Sequence, residues 1–183
     1  MTVADAIRTK RAVRDFAPQR LPDDVVRSIV NAGRRAQSSK NTQPWHFIAI
    51  QERQMLETLS RLGPFAGHLA GAALGVAVLS PNHAPRWSIM FDAGQAAAYM
   101  QLAAWELGVA SCLATIYEQD AARNLLGFPD DLHLNVALSF GYPLDPTVLT
   151  APPRAGGRRP FEESVHVERW RARAPRPPDP RGV

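Results

Sequence analysis

Lys10, Arg11 and Arg14 put three positive charges into five residues, with only Ala12 and Val13 between them. Cations this close repel one another. Held together by a fold, they match a concentrated anion such as a phosphate, for which arginine offers a planar fork of donors. Left in solvent, the same run is an ordinary basic turn. A second segment, Ser38-Ser39-Lys40-Asn41-Thr42-Gln43-Pro44-Trp45, crowds hydroxyls, an ammonium and two amides together. Such a stretch donates and accepts many hydrogen bonds at once, which suits a flat, polar, heteroaromatic ligand. It is equally a way to end a helix before a strand. The chain's only two lysines, Lys10 and Lys40, fall one in each segment.

The elements that must position these segments follow from periodicity. Residues 3 to 9 read as a short helix, with an arginine-rich connector after it that ends at Phe16. Pro22, Asp23 and Asp24 suit the first turn of a helix over about 22 to 36, whose apolar face is Val25, Val26, Ile29 and Val30. Pro44 bars helix beyond the second segment, and 45 to 50 reads as a strand. A surface helix over 52 to 61, a buried strand over 72 to 79 and a loop over 80 to 86 come next. The longest helix, about 89 to 107, is rich in alanine and therefore slim, which suits a central or subunit-interface place. Gly108 stops it. Strand 109 to 116, helix 118 to 126 and strand 134 to 140 complete a domain by about residue 145. From about 146 an extended arm follows, with a short helix within 161 to 170. Residues 171–183 are too rich in proline and arginine to fold alone. The fold class expected is α+β: a mostly antiparallel sheet of four to five strands flanked by helices, one domain over 1 to 170.

Composition narrows the function. The 183 residues are 45% hydrophobic and 21% charged, as in an ordinary globular protein with one core. The net charge of +4 invites an anionic partner, but 19 of the 21 basic residues are arginine, a bias that genome composition can produce. No basic-aromatic motif or reading helix accompanies the charge, so nucleic-acid binding is not expected. No apolar run approaches the ~20 residues of a membrane span. The opening residues lack the apolar core of a secretory signal, and Cys112 is the only cysteine; both favour the cytoplasm. Cys112 reads as a packed core thiol. His46, His68, His83, His133 and His166 have no ligand spacing, so no metal is expected. Asp92 and Glu106 read as surface or interface charges of the long helix. Neither a Ser-His-Asp order nor a Gly-rich nucleotide fingerprint is visible.

Taken as a pair, in this order and at this spacing, the two segments resemble the nitroreductase family. The likeness continues through the alanine-rich helix, Gly108 to Tyr117, Leu125-Leu126-Gly127-Phe128-Pro129, Gly141-Tyr142-Pro143 and Arg158-Arg159-Pro160, and so covers about residues 3 to 170. The resemblance implies an FMN-dependent oxidoreductase. It would take a hydride from NADH or NADPH and pass electrons, ping-pong fashion, to a small organic acceptor such as a nitroaromatic or quinone. It implies a nitroreductase-like fold and an intertwined homodimer with FMN sites at the interface. Lys10, Arg11 and Arg14, with Ala12 between them, would hold the FMN phosphate and the pyrimidine edge. Ser38, Ser39 and Asn41, supported by Gln43, would reach FMN from the partner subunit. The backbone at Thr115 and Ile116 would lie beside the ring, and Arg158 and Arg159 would return to the phosphate. No protein side chain is implied as catalytic, since the chemistry is the flavin's own.

Two departures stand out. Ala12 replaces a serine usual in the family, which removes a hydroxyl from the FMN contacts. The connection between the second strand and the long helix is short, as in compact members, and leaves the substrate open. Rival readings within the fold are a flavin-cleaving or dehalogenating enzyme, or a flavin- or deazaflavin-binding protein without turnover. Colour separates the main classes. Purified protein is expected to be yellow and to release FMN on heating, whereas colourless protein with steeply salt-dependent binding to generic DNA would mark a nucleic-acid binder.

Overall fold

The computed structural model describes residues 1–152 and 158–170. It divides into two compact units, Met1–Ala151 and Pro152–Val183. The first opens with α1 (Val3–Thr9), whose start is closed by a reciprocal pair: Asp5 N–H donates to the Thr2 hydroxyl at 3.1 Å, and Thr2 N–H to the Asp5 carboxylate at 3.2 Å. Then come α2 (Asp23–Arg34), β1 (His46–Ile50), α3 (Arg53–Ser60), β2 (Leu74–Pro81), α4 (Ser88–Glu106), β3 (Ala110–Ala114), α5 (Gln119–Leu126) and β4 (Leu132–Gly141). The second unit contains α6 (Phe161–Ser164), shorter than the helix expected there, and a stacked pair of rings, His166 on Trp170. The expected tail over 171–183, and part of the proline-glycine connector, lie outside the described residues.

The four strands form one antiparallel sheet in the order β1-β2-β4-β3. Alternation along β2 sends Leu74, Val76 and Val78 to one face, where they meet Ile29 of α2 and Ala93, Ala97, Met100 and Ala104 of α4. Ala77 and Leu79 share the other face with Leu56 and Leu59 of α3, Ala122 of α5 and Phe128. The sheet is therefore apolar on both sides between two helical layers, the α+β class expected. In β4 the alternation slips once, because Val78 pairs with Val136 and Leu79 with Leu134. Asn135 is the extra residue of a bulge, its amide donating to the Ser80 hydroxyl at 2.6 Å. The slip turns Leu134 and Leu132 into the α3–α5 core, so this strand runs longer than its simple alternation indicates.

The long helix is slim for a reason the packing makes plain. Gly33 of α2 lies so close to α4 that a β-carbon there would come 2.8 Å from Met100. One α4 face is buried by α2 and the sheet, while Trp87, Met90, Phe91 and Tyr99 remain exposed on the other side.

The open edge of β3 is covered piecemeal. Val13 N–H donates to Ser111 O at 3.0 Å, where the arginine-rich connector makes an isolated parallel bridge through Ala12. His68 reaches Leu113 O, and Tyr117 N–H donates to Leu62 O at 2.9 Å. Between them Gly63 sits directly against the Thr115 carbonyl oxygen, with no room for a side chain. Gly63→Ala is accordingly expected to push the Thr115 carbonyl aside and to destabilise the fold by about 1–3 kcal/mol, read as a lowered thermal midpoint. An unchanged midpoint would show that this contact yields freely.

Candidate functional site

The first basic run is built from the end of α1. Lys10 caps that helix, its N–H donating to Ala6 O at 2.9 Å. The Arg11 guanidinium turns back onto the same helix end, donating to Thr9 O at 2.6 Å and to Arg8 O and Lys10 O at 3.2 Å. A second nitrogen reaches Ala151 O at 3.5 Å. These carbonyls lack helical partners, and the negative end of the helix dipole draws a cation to them. Arg11 therefore shapes the run as well as charging it. Ala12 is exposed and held beside Ser111. Arg14 is exposed and makes no hydrogen bond or ion pair among the described residues. It lines a cavity of about 440 Å³ together with Asp15, Phe16, Gly67, His68, Gly71 and Leu144.

His68 was unassigned on sequence grounds. Its Nε2 lies 3.2 Å from Leu113 O, and its Nδ1 lies 2.7 Å from Oγ of the fully buried Ser139. A carbonyl only accepts, so Nε2 carries a proton, while the Ser139 hydroxyl has two acceptors in reach, Nδ1 and, at 3.4 Å, Cys112 O. Burial pushes the ring's pKa below its ordinary 6.5; the Leu113 carbonyl opposes that shift and the Arg14 charge adds to it. The ring is neutral and acts as a strap across β3. Beyond it, Thr115 is exposed while Ile116 is buried in the α3–α5 core. The parallel bridge at Ala12 thus brings the basic run and the Thr115–Ile116 backbone to one sheet edge.

The second segment leaves α2 through a single 3-10 turn, Ser39–Asn41. Lys40, Asn41 and Gln43 have φ of 54°, 53° and 47°, left-handed values that cost roughly 1–3 kcal/mol each outside glycine. Such strain persists only where the surroundings over-determine it. Here Ser38 Oγ accepts from Gln43 N–H at 2.9 Å, and the Thr42 hydroxyl donates to Ser39 O at 3.0 Å. Trp45 anchors the exit, buried against Ala36 and Ala96. Asp92 of α4 accepts from Ser39 N–H at 3.1 Å, and Arg86 donates to Ser39 O at 3.1 Å and to the Thr42 hydroxyl at 2.8 Å. Ser38 and Ser39 are partly buried; Asn41 and Gln43 are exposed.

Asp92 corrects one expectation. It is 3% exposed beneath this loop and so is neither the surface nor the interface charge expected, whereas Glu106 is exposed. A lone carboxylate on the alanine stripe of α4 was a usable signal. Nothing local marked Arg86, Gly63 or His68. Arg158 and Arg159 belong to the second unit, both exposed just ahead of α6.

The two segments sit at opposite ends of α4. Trp105 Nε1 donates to the Thr9 hydroxyl at 2.9 Å near one end, and Asp92 holds Ser39 near the other. The thirteen-residue step from Asp92 to Trp105 rises about 20 Å along the axis.

Comparison with known proteins agrees with this architecture. The model of the nitroreductase family matches residues 7–68 and 61–142. A protein of Archaeoglobus fulgidus named as an NADH dehydrogenase/NAD(P)H nitroreductase is 30% identical over 146 residues, 76% of this chain and 84% of that relative. The iodotyrosine deiodinase of Thermotoga neapolitana is 26% identical over 170 residues, 78% of this chain and 89% of the relative. Among solved structures, an FMN-dependent nitroreductase of Clostridium difficile superposes with a TM-score of 0.81 at 22% identity, covering 91% of this chain and 99% of that one. No helix among the described residues is long and apolar enough to cross a membrane.

The strap at His68 has a pH signature. Between pH 6.5 and its lowered folded value, the unfolded chain binds more protons than the folded one, so stability falls as pH falls through that window. The thermal midpoint of the wild type relative to His68→Gln is expected to drop on going from about pH 7.5 to about pH 5. A difference that does not change with pH would contradict a buried neutral ring.

Proposed function

The chain belongs to the nitroreductase family, and from that premise we propose that it is a cytoplasmic FMN-dependent oxidoreductase that works as a homodimer, with each flavin held by both subunits. When bound, FMN would supply the redox chemistry, taking a hydride from NADH or NADPH and passing electrons in a second half-reaction to a small organic acceptor such as a nitroaromatic or quinone. The residues present fit that cofactor. Arg14 is an exposed guanidinium without a partner among the described residues, on a cavity wall. Lys10 and Arg11 add charge beside it, suited to a phosphate dianion and to a ring that gains negative charge on reduction. Ala12 supplies no hydroxyl, and the N–H that bonds β3 beside it is that of Val13. The backbone of Thr115 and Ile116 borders the ring on this reading, with the Thr115 carbonyl packed closely against Gly63.

The observation that carries the shared site is the length of α4. A ligand seated at Lys10–Arg14 would have to span about 20 Å to touch Ser38, Ser39, Asn41 or Gln43 of the same chain. The two segments serve one flavin more simply if they come from different chains. The exposed apolar side of α4, with Trp87, Met90, Phe91 and Tyr99, is the kind of surface that a second copy covers. The likeness to a deiodinase favours one second reading, reductive dehalogenation of an aromatic ring. Halide release at the expense of NADPH, without reduction of nitroaromatics or quinones, would select it.

Mixed dimers test the shared site. Arg14→Ala and Asn41→Ala homodimers are each expected to bind FMN weakly at both sites. In the mixed dimer isolated after co-expression, one site carries both lesions and the other neither, so that dimer recovers roughly half of the wild-type flavin content. If each segment served its own chain's flavin, every site would keep one lesion and nothing would return.

A further inference from the structure

Asp92 is chemically out of place. Its neighbours along the buried stripe of α4 are Ala93, Ala96 and Ala97, and the carboxylate is 3% exposed. A buried carboxylate is unfavourable unless it is well hydrogen-bonded or paired. No ion pair to Asp92 occurs among the described residues, and both of its oxygens approach a single donor, the Ser39 N–H, at 3.1 and 3.2 Å. An alanine would serve the helix itself as well. What the charge secures is a peptide group 53 residues away in sequence.

The other end of the same residue is held too. The Arg86 guanidinium donates to Ser39 O at 3.1 Å and to the Thr42 hydroxyl at 2.8 Å, and is steadied in turn by the Ser88 hydroxyl at 3.3 Å. Ser39 is thus gripped at its N–H by an anion and at its carbonyl by a cation, immediately before the left-handed residues Lys40 and Asn41. Three of the following N–H groups are satisfied inside the loop, Asn41 to Ser38 O at 2.9 Å, Thr42 to Ser39 O at 3.2 Å and Gln43 to Ser38 Oγ at 2.9 Å. The loop is braced from within before anything docks on it, with the Asn41 and Gln43 side chains exposed.

We infer that Asp92 and Arg86 are positioning residues, which lock the Ser38–Gln43 loop in its strained form so that Asn41 and Gln43 meet the flavin of the other subunit. This rests on the shared-site reading above. Neither residue touches the reacting atoms; both act through Ser39.

The test is FMN titration of the full-length protein by flavin fluorescence, beside thermal melts of the flavin-free form. Asp92→Ala and Arg86→Ala are expected to weaken FMN binding about tenfold. Asp92→Ala should leave the melting midpoint level or raise it, because it removes a buried charge. Asp92→Asn keeps a carbonyl oxygen for Ser39 N–H and should restore most of the affinity. A merely structural Asp92 would instead lower the midpoint and leave the affinity of the folded protein unchanged. Wild-type uptake of FMN with both alanine variants within about twofold of it would overturn the positioning role alone. A wild-type chain that takes up no FMN would overturn the reading of the site, and this inference with it.

Discussion

A straight helix is a fixed spacer, and the arrangement of this molecule depends on one. The 19 residues of α4 span about 28 Å, and each end is tied to a different polar segment. Trp105 holds the end of α1 through Thr9, and Asp92 holds the loop after α2 through Ser39. Because α4 is packed along its length by α2 and by the sheet, neither end can move toward the other. The distance between the basic run and the amide-rich loop is therefore a property of the helix and not of the loops. In one chain the basic run and the amide-rich loop are held at opposite ends of this helix.

The second constraint is the open edge of β3. An unpaired strand edge exposes donors and acceptors that water or another chain will satisfy. Here Ser111, Leu113, Thr115 and Tyr117 are met in turn by the connector, His68, Gly63 and Leu62. Each contact comes from a different stretch of sequence, yet together they fix the course of the backbone from Ser111 to Tyr117. The proposed flavin border is part of that course. Its rigidity depends on a neutral histidine and a missing β-carbon as much as on the strand pairing.

Much of this was legible beforehand where local pattern and packing agree. The apolar face of Val25, Val26, Ile29 and Val30 located α2, and the turn formers from Ser38 onward located the loop. The alanine content of α4 announced a closely packed helix. Legibility failed where a residue's role depended on a distant partner. Asp92 looked like a surface or interface charge because its one hydrogen-bond donor among the described residues lies on another element. Arg11 read only as one cation of a phosphate-binding run or a basic turn, because nothing in its sequence context says that it folds back onto the carbonyls of α1. The bulge at Asn135 hid two residues of β4 because one extra residue reverses the alternation by which a strand is read.

By itself the sequence determined which residue types stand in which order, and so the family, the elements and the two segments rich in cations and amides. Those are local properties, written in periodicity, turn chemistry and motif spacing. Only the tertiary structure decided that Arg14 stays exposed without a partner among the described residues while Arg11 is engaged, that Ser39 is gripped from both sides, and that the two segments stand a helix length apart. These outcomes depend on distances between residues far apart in the chain. Such distances are set when α4 packs between α2 and the sheet, and no short window of sequence contains them.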